Sequence, residues 1–221
     1  HWSDIRGSYV NHCDCLTFIQ PPLWGFFIKY ILKKRILVAC EFSGRVRNSF
    51  NRFDNCEAIS ADLLPTESPG PHYQGNVLDI IDNGFDLMIC HPPCRFLASS
   101  GSQWWKSRQK EQEEALEFVR TLLNANIPQI ALENPVGCIS TRIRKPDQYI
   151  QPYEHGCGHT KKTGLWLKNL PLLKPTNIVE GREPAIWKIG PSGKKDEPRW
   201  KKRSVTYQGI ADAMGEQWSQ I

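Results

Sequence analysis

No run in this 221-residue chain approaches the ~18 consecutive apolar residues that a membrane-spanning helix needs. The longest candidate, "PPLWGFFIKYIL", is short and broken by Lys29, so no membrane partner is expected. It makes a poor secretion signal too, because no charged start precedes it and no small-residue cleavage site follows. The chain opens on His1, and residues 1–33 read as a leader or appended segment of unassigned role. C-x-x-C pairs are also missing: the eight cysteines show no regular spacing, and Cys40 and Cys90 sit at the ends of apolar runs. That placement predicts reduced thiols in a cytoplasmic protein. There is no G-x-G-x-x-G and no G-x-x-x-x-G-K-[ST], which argues against dinucleotide and nucleoside-triphosphate sites. Internal repeats and extended low-complexity tracts are absent as well.

What remains suits one domain over 34–221 with a sizeable core, since 40% of the residues are apolar. The net charge of +5 is unevenly spread: Arg142 to Arg203 carries fifteen Lys/Arg against six Asp/Glu. Interleaved with Trp166, Trp187 and Trp200, this basic third fits a polyanion such as nucleic acid, or else a solvated basic surface.

Short apolar runs alternate with helical patterns. "RILVAC" (35–40) reads as a strand buried on both faces, "FDLMIC" (85–90) as another buried strand, and "EAISA" (57–61) and "IPQIALE" (127–133) as strands. "VRNSFNRF" and residues 110–125 read as helices, the second with Ala115, Phe118, Val119 and Leu122 at helical spacing. "HYQGNVLDI" holds a short strand or turn, "TGLWLKNLPLL" a strand and turn, and "TYQGIADAMGEQW" a closing helix. The rhythm predicts an α/β fold: an open, mostly parallel sheet with helices on both faces.

In such sheets ligands bind at the carboxyl ends of the strands. There the chain places Glu41-Phe42-Ser43-Gly44, whose glycine permits a tight turn and close approach to a ligand, and then Asp62. An acid about twenty residues beyond the first turn can accept from both hydroxyls of a ribose, or can cap a helix. The next strand ends on His91-Pro92-Pro93-Cys94, where two prolines stiffen the loop and free its carbonyls. The thiol is either a nucleophile, with Arg95 favouring its thiolate, or a buried residue of a structural turn. Glu133-Asn134-Pro135 ends the last strand, and a carboxylate there is costly to desolvate without a partner.

In this order, "EFSGRVRNSF", "SADLLP", "HPPCRFLASSG" and "LENPVG" resemble the motifs of the DNA (cytosine-5) methyltransferase family over roughly Arg35 to Gly137. The resemblance implies a Rossmann-like fold that uses S-adenosyl-L-methionine and acts on nucleic acid, above all DNA. It implies Cys94 attacking C6 of cytosine and Glu133 holding the base at N3 and its amine. Phe42, Ser43, Gly44, Asp62, Asn76 and Pro92 would surround the cofactor. Pro93, Arg95 and Asn134 would border the substrate, while Arg142 and Arg144, in "TRIR", would stand for the family's Q-x-R-x-R. A duplex cytosine would have to flip out of the stack. Val46, Arg95 and Pro135 depart from the family pattern, and a small basic extension replaces a large target-recognition domain, as in a compact phage or prophage relative. Alternative readings are an amino methyltransferase, which uses [DNS]-P-P-[YFW], a C5 enzyme for RNA or free pyrimidine nucleotides, and a non-catalytic nucleic-acid-binding or decoy protein.

Three further features are read from residues alone. "HGCGH" could bring His155, Cys157 and His159 to a zinc ion with Cys138, but alternate residues on a glycine-rich loop rarely converge, and no metal is expected. Lys161, Lys162 and Thr163 either contact phosphates or form a plain surface loop. Trp104 and Trp105, beyond the Cys94 loop, either stack on bases or pack against the sheet.

Overall fold

The computed structural model describes residues 33–184 and 199–221. The expected leader, up to residue 32, and Trp187 of the basic stretch lie outside the described residues.

Nine strands are described: β1 (Lys34–Ala39), β2 (Cys56–Asp62), β3 (His72–Gln74), β4 (Leu87–Cys90), β5 (Gln129–Pro135), β6 (Gln148–Ile150), β7 (His159–Thr160), β8 (Thr163–Lys168) and β9 (Glu183–Pro184). Seven form one sheet in the order β3-β2-β1-β4-β5-β8-β6, and β7 pairs with β9 apart from it. From β3 to β5 all neighbours run parallel, whereas β8 is antiparallel to both β5 and β6. The expected α/β architecture is therefore present. The helices are α1 (Arg45–Phe50), α2 (Gln109–Leu123), α3 (Ile139–Arg142), α4 (Arg199–Ser204) and α5 (Gln208–Trp218).

The continuous apolar runs explain the layers. Successive residues of a strand point to opposite faces, and the core divides accordingly. Leu37, Met88, Cys90, Ile130 and Leu132 pack beneath Leu116, Val119 and Leu122 of α2. Ile36, Val38, Leu87, Ile89 and Ala131 pack on the other face against Val46 and Phe50 of α1 and Met214 and Trp218 of α5. Each large aliphatic side chain buried this way contributes about 1.5–3 kcal/mol. The buried stripe of α2 is centred one residue off the sequence expectation. Gln112, Leu116, Val119 and Leu122 are buried, while Ala115 and Phe118 flank the core partly exposed. Gln112 is tolerated there because its Nε2 donates to the carbonyl of Phe96, at 3.0 Å.

One connection departs from the usual α/β unit. Parallel strands normally need a crossover of a dozen or more residues, most often a helix, but β2 and β3 are joined by residues 63–71 with no helix. A single arginine of α1 holds this loop. Arg47 is fully buried, and its guanidinium donates to Ser60 Oγ, Thr66 Oγ1 and the carbonyls of Ser68, Pro69 and Pro71. Glu41 holds the other side of α1. Its buried carboxylate accepts from the N–H groups of Val46 (2.7 Å) and Arg47 (3.2 Å), satisfying donors that a helix start leaves unpaired. α5 then closes over α1, with Ser49 Oγ donating to Asp212 at 2.7 Å and Arg52 pairing with the same carboxylate.

Candidate active site

The strand order reverses between β1 and β4, since the chain builds outward from β1 to β3 and then returns to the other side of β1. A crevice outside the carboxyl ends of the strands is the expected ligand position at such a switch point. The ends of β1, β2, β4 and β5 carry Cys40, Asp62, His91 and Glu133, so the topology gathers these residues along one edge.

The β4 and β5 corners are joined by direct bonds. Asn134, only 1% exposed, donates from Nδ2 to the carbonyl of Pro92 at 2.8 Å. One of the two lone pairs of the Pro92 carbonyl is thus taken by the neighbouring strand end. Beyond the corners, Ser99 N donates to Val136 O (2.9 Å) and Cys138 N to Leu97 O (2.9 Å). Gly137 is required here, because a Cβ at that position would stand 1.9 Å from Leu97 O. The loop bearing Cys94 is zipped to the loop beyond Glu133.

His91 Nδ1 lies 3.0 Å from Glu133 Oε2, with the two side chains 6% and 14% exposed. Burial pushes the Glu133 carboxyl up, but Lys161, His91 and the Thr163 hydroxyl together outweigh it and hold it below the ordinary glutamate range. Cys94 is half-buried. Desolvation raises its thiol, and Glu133 raises it further, while the charges of Lys161 and Arg203 pull it back. Cys94 and Glu133 therefore feel each other and share Lys161. Arg95 is not the cation beside the thiol: its guanidinium lies over the Phe96 ring, 5.3 Å from the centroid, on the cavity side of the loop.

The reversed strand explains why Lys161 arrives. β8 is antiparallel to β5, with Thr163 opposite Pro135, so its first residues meet the carboxyl end of β5. "KKT" is thereby carried to the site edge. Lys161 Nζ reaches the Arg203 carbonyl at 3.3 Å, which ties α4 to the same place. Thr163 is 2% exposed and sits against Glu133, while Lys162 turns its ammonium over the Tyr149 ring at 4.3 Å.

At the β1 and β2 ends, Cys40 takes φ +59°, a left-handed conformation uncommon for a residue other than glycine. Burial, with Asp62 nearby, pushes its thiol up to about 12, so it stays protonated. Asp62 Oδ1 accepts from Leu64 N at 2.9 Å, and desolvation raises its carboxyl above the ordinary range. Phe42 and Ser43 are each 6% exposed, and Ser43 Oγ bonds to Glu41 at 3.2 Å. Gly44 has φ +72°, and a Cβ there would stand 2.4 Å from Arg47 Nη2. The close approach that glycine permits is thus filled by Arg47. Pro93 is exposed at the corner, and Asn76 is exposed and caps the turn Val77–Asp79 by accepting from Leu78 N at 3.1 Å.

Two predicted residues are not brought in. Arg142 pairs with Glu113 of α2 at 2.7 Å, and Arg144 pairs with Asp147 at 2.8 Å and donates to Leu167 O. In "HGCGH", His155 Nδ1 lies 3.2 Å from Thr176 Oγ1 and Cys157 Sγ 3.4 Å from His159 Nδ1, while Cys138 packs in the core with Leu97. Among the described residues no three His, Cys, Asp or Glu side chains cluster as metal ligands, and the six described cysteines are all free. No described helix is long and apolar enough to cross a membrane. His91, Arg203 and Arg47 escaped sequence reasoning; of these only His91 carried a signal, standing just before the proline pair.

The site sets a half-buried thiol beside a buried carboxylate, with a lysine acting on both. No known protein-family model matches the chain, and no curated protein matches it either.

Proposed function

We propose that the protein transfers a methyl group from S-adenosylmethionine to C5 of cytosine in DNA through a covalent adduct of Cys94. The observation that carries this reading is the joining of the Cys94 and Glu133 strand ends by Asn134 Nδ2 donating to Pro92 O at 2.8 Å, with Lys161 near enough to act on both charges.

The donor set suits such a cofactor. Asp62 is a desolvated carboxylate whose pKa stands high, and the imidazole nearest it is engaged, His72 lying 2.9 Å from both Ser60 Oγ and Leu64 O. A ribose diol offers such a carboxylate two O–H donors. Cys40, neutral beside it, adds no charge. When bound, S-adenosylmethionine supplies an electrophilic methyl group.

The chain's own residues do the rest. Burial first, and then the ionised Glu133 beside it, favour the thiol form of Cys94 in the free protein. A cytosine whose amine donates to Glu133 disperses that negative charge, and the fields of Lys161 and Arg203 then favour the thiolate. Glu133 takes the Sγ proton as Sγ attacks C6: the S–C6 bond forms, the C5=C6 double bond opens, and N3 receives the electron density together with that proton from Glu133. After methylation N3 returns its proton, C5 loses its own to water, and Sγ leaves as C5=C6 re-forms. His91 Nδ1, hydrogen-bonded to Oε2, fixes the carboxylate's rotation. The Pro92-Pro93 corner, clamped by Asn134, keeps the thiol on one line of approach.

The test is trapping by DNA containing 5-fluorocytosine in the presence of S-adenosylmethionine. A covalent adduct mapped to Cys94 and abolished in Cys94→Ser, with folding and cofactor affinity nearly unchanged, is the expected result. An adduct on another cysteine, or none, refutes the reading.

A further inference from the structure

Directly beyond Cys94, the chain builds a cavity of about 180 Å³ lined by Arg95, Phe96, Gly101, Trp104, Trp105 and Arg108. Neither Cys94 nor Glu133 lines it, so it is separate from the position of a target base. Its composition is one-sided: three aromatic rings, two guanidinium groups and no acid. Both cations lie over Phe96, Arg95 at 5.3 Å and Arg108 at 5.8 Å from the ring centroid. Trp104 is 58% exposed, although its neighbour Trp105 packs on the core. The indole Nε1 of Trp105 is buried and has no hydrogen-bond partner. A buried donor of this kind calls for an acceptor, and an indole can only donate.

The walls are held in place. Gln112 donates to Phe96 O at 3.0 Å, Ser107 Oγ to Trp104 O at 3.1 Å, and Gly101 N to Ala98 O at 3.0 Å. A Cβ at Gly101 would come within 3.3 Å of Arg95 O, so that wall has little room for a side chain. In volume the cavity suits one six-membered ring, since a protein cavity of about 150 Å³ holds benzene.

We propose that this cavity is a second nucleotide subsite, which takes a pyrimidine neighbouring the target cytosine in the same strand. The inference rests on the function proposed above for its placement, and on the cavity alone for its chemistry. The ring stacks on the exposed Trp104, a ring carbonyl accepts from Trp105 Nε1, and the phosphate lies against Arg95 and Arg108, which Phe96 supports from beneath. Because Arg95 follows Cys94 directly, a nucleotide seated here is continuous with one presented to the thiol. The subsite would give the protein a preference for the base beside its target.

The experiment uses the full chain and fluorescently labelled single-stranded oligonucleotides with one cytosine, in which each flanking position is replaced in turn by an abasic residue. Anisotropy titrations without cofactor give the affinities. Trp104→Ala should weaken binding of the intact oligonucleotide about tenfold, within the range for loss of one stacked base. It should cost nothing further on the one oligonucleotide already abasic at the subsite position. Trp105→Phe, which removes the N–H together with the fused ring, should show the same position dependence. Losses under twofold, or equal losses on every abasic oligonucleotide, overturn the subsite. If the 5-fluorocytosine adduct forms at Cys94 while the position dependence is absent, the subsite falls and the proposed chemistry stands. Position dependence without any adduct supports the subsite and removes the chemistry.

Discussion

Replacing Arg47 with methionine keeps most of the stem volume and removes the charge from a fully buried position. Six hydrogen bonds disappear: those to Ser60, Thr66, Ser68, Pro69 and Pro71, and that from Nε to Asn48 Oδ1. At ~1.5–3 kcal/mol for a bond to a charged group, the gross sum would exceed the whole stability of many domains. Two effects shrink it. The guanidinium no longer suffers desolvation, which lowers its pKa in the folded protein and costs several kcal/mol for a buried ion. The carbonyls of Pro69 and Pro71 belong to exposed residues and can turn to water, whereas Ser60 and the Glu41 carboxylate cannot escape. We expect a net loss of about 3–5 kcal/mol, the range for breaking a buried charged cluster on one side. Arg47→Lys offers three donors to six acceptors and should lose about half as much. Urea unfolding followed by tryptophan fluorescence and circular dichroism measures both, with the slope checked for constancy. A loss for Arg47→Met within about 1 kcal/mol of zero, typical of a surface substitution, would refute the role given to this side chain.

Asp62→Ala should weaken S-adenosylmethionine binding more than tenfold in calorimetry, as expected for a lost pair of charge-assisted bonds, and unchanged affinity would remove the cofactor assignment. Glu133 has a folded pKa below its ordinary value of 4.5. Its ionised form therefore adds stability above the unfolded pKa, which is lost as pH falls through the lower folded value. Glu133→Gln should flatten the acid side of the stability profile below about pH 4.5, and an unchanged acid branch would contradict the Lys161 and His91 contacts. Nucleic-acid affinity should fall steeply between low and physiological salt, because cationic side chains displace condensed counterions. Indifference to salt would favour a free nucleotide as substrate.

The strand ends were legible because a buried parallel strand announces itself as an apolar run, and the residues at its carboxyl end must stand on one edge of the sheet. Cys94, Glu133 and Asp62 could be placed from that rule alone, though their mutual contacts could not. The pairing of β8 with β5 was harder to read, since "TGLWLK" looks the same in either direction and antiparallel pairing brings in residues distant in sequence. Arg95, next to the thiol in sequence, suggests a field that Lys161 supplies from sixty-six residues further along. Arg47 gave no sign either. An arginine in a short helix reads as solvated, and only the helix-free β2–β3 connection, visible in the fold, explains its burial. Arg142 found an acid on α2 and Arg144 one three residues along its own loop, and spacing within "TRIR" could not foretell the first.

The late arrival of Lys161 and Arg203 has a consequence for how the molecule comes into being. Cys94 and Glu133 can meet once β5 has paired with β4, but the cations that temper their charges belong to segments made afterwards. Lys34 at the start of β1 is bonded to the carbonyls of Trp218 and Ile221, so α5 must also dock before the first strand is fully secured. Closing loops of this length is entropically costly and slows folding. During synthesis the thiol corner would stand for a time beside an untempered carboxylate, which keeps the nucleophile protonated and inert. The full set of charges around the thiol would then be complete only when α4 has been made and has met Lys161.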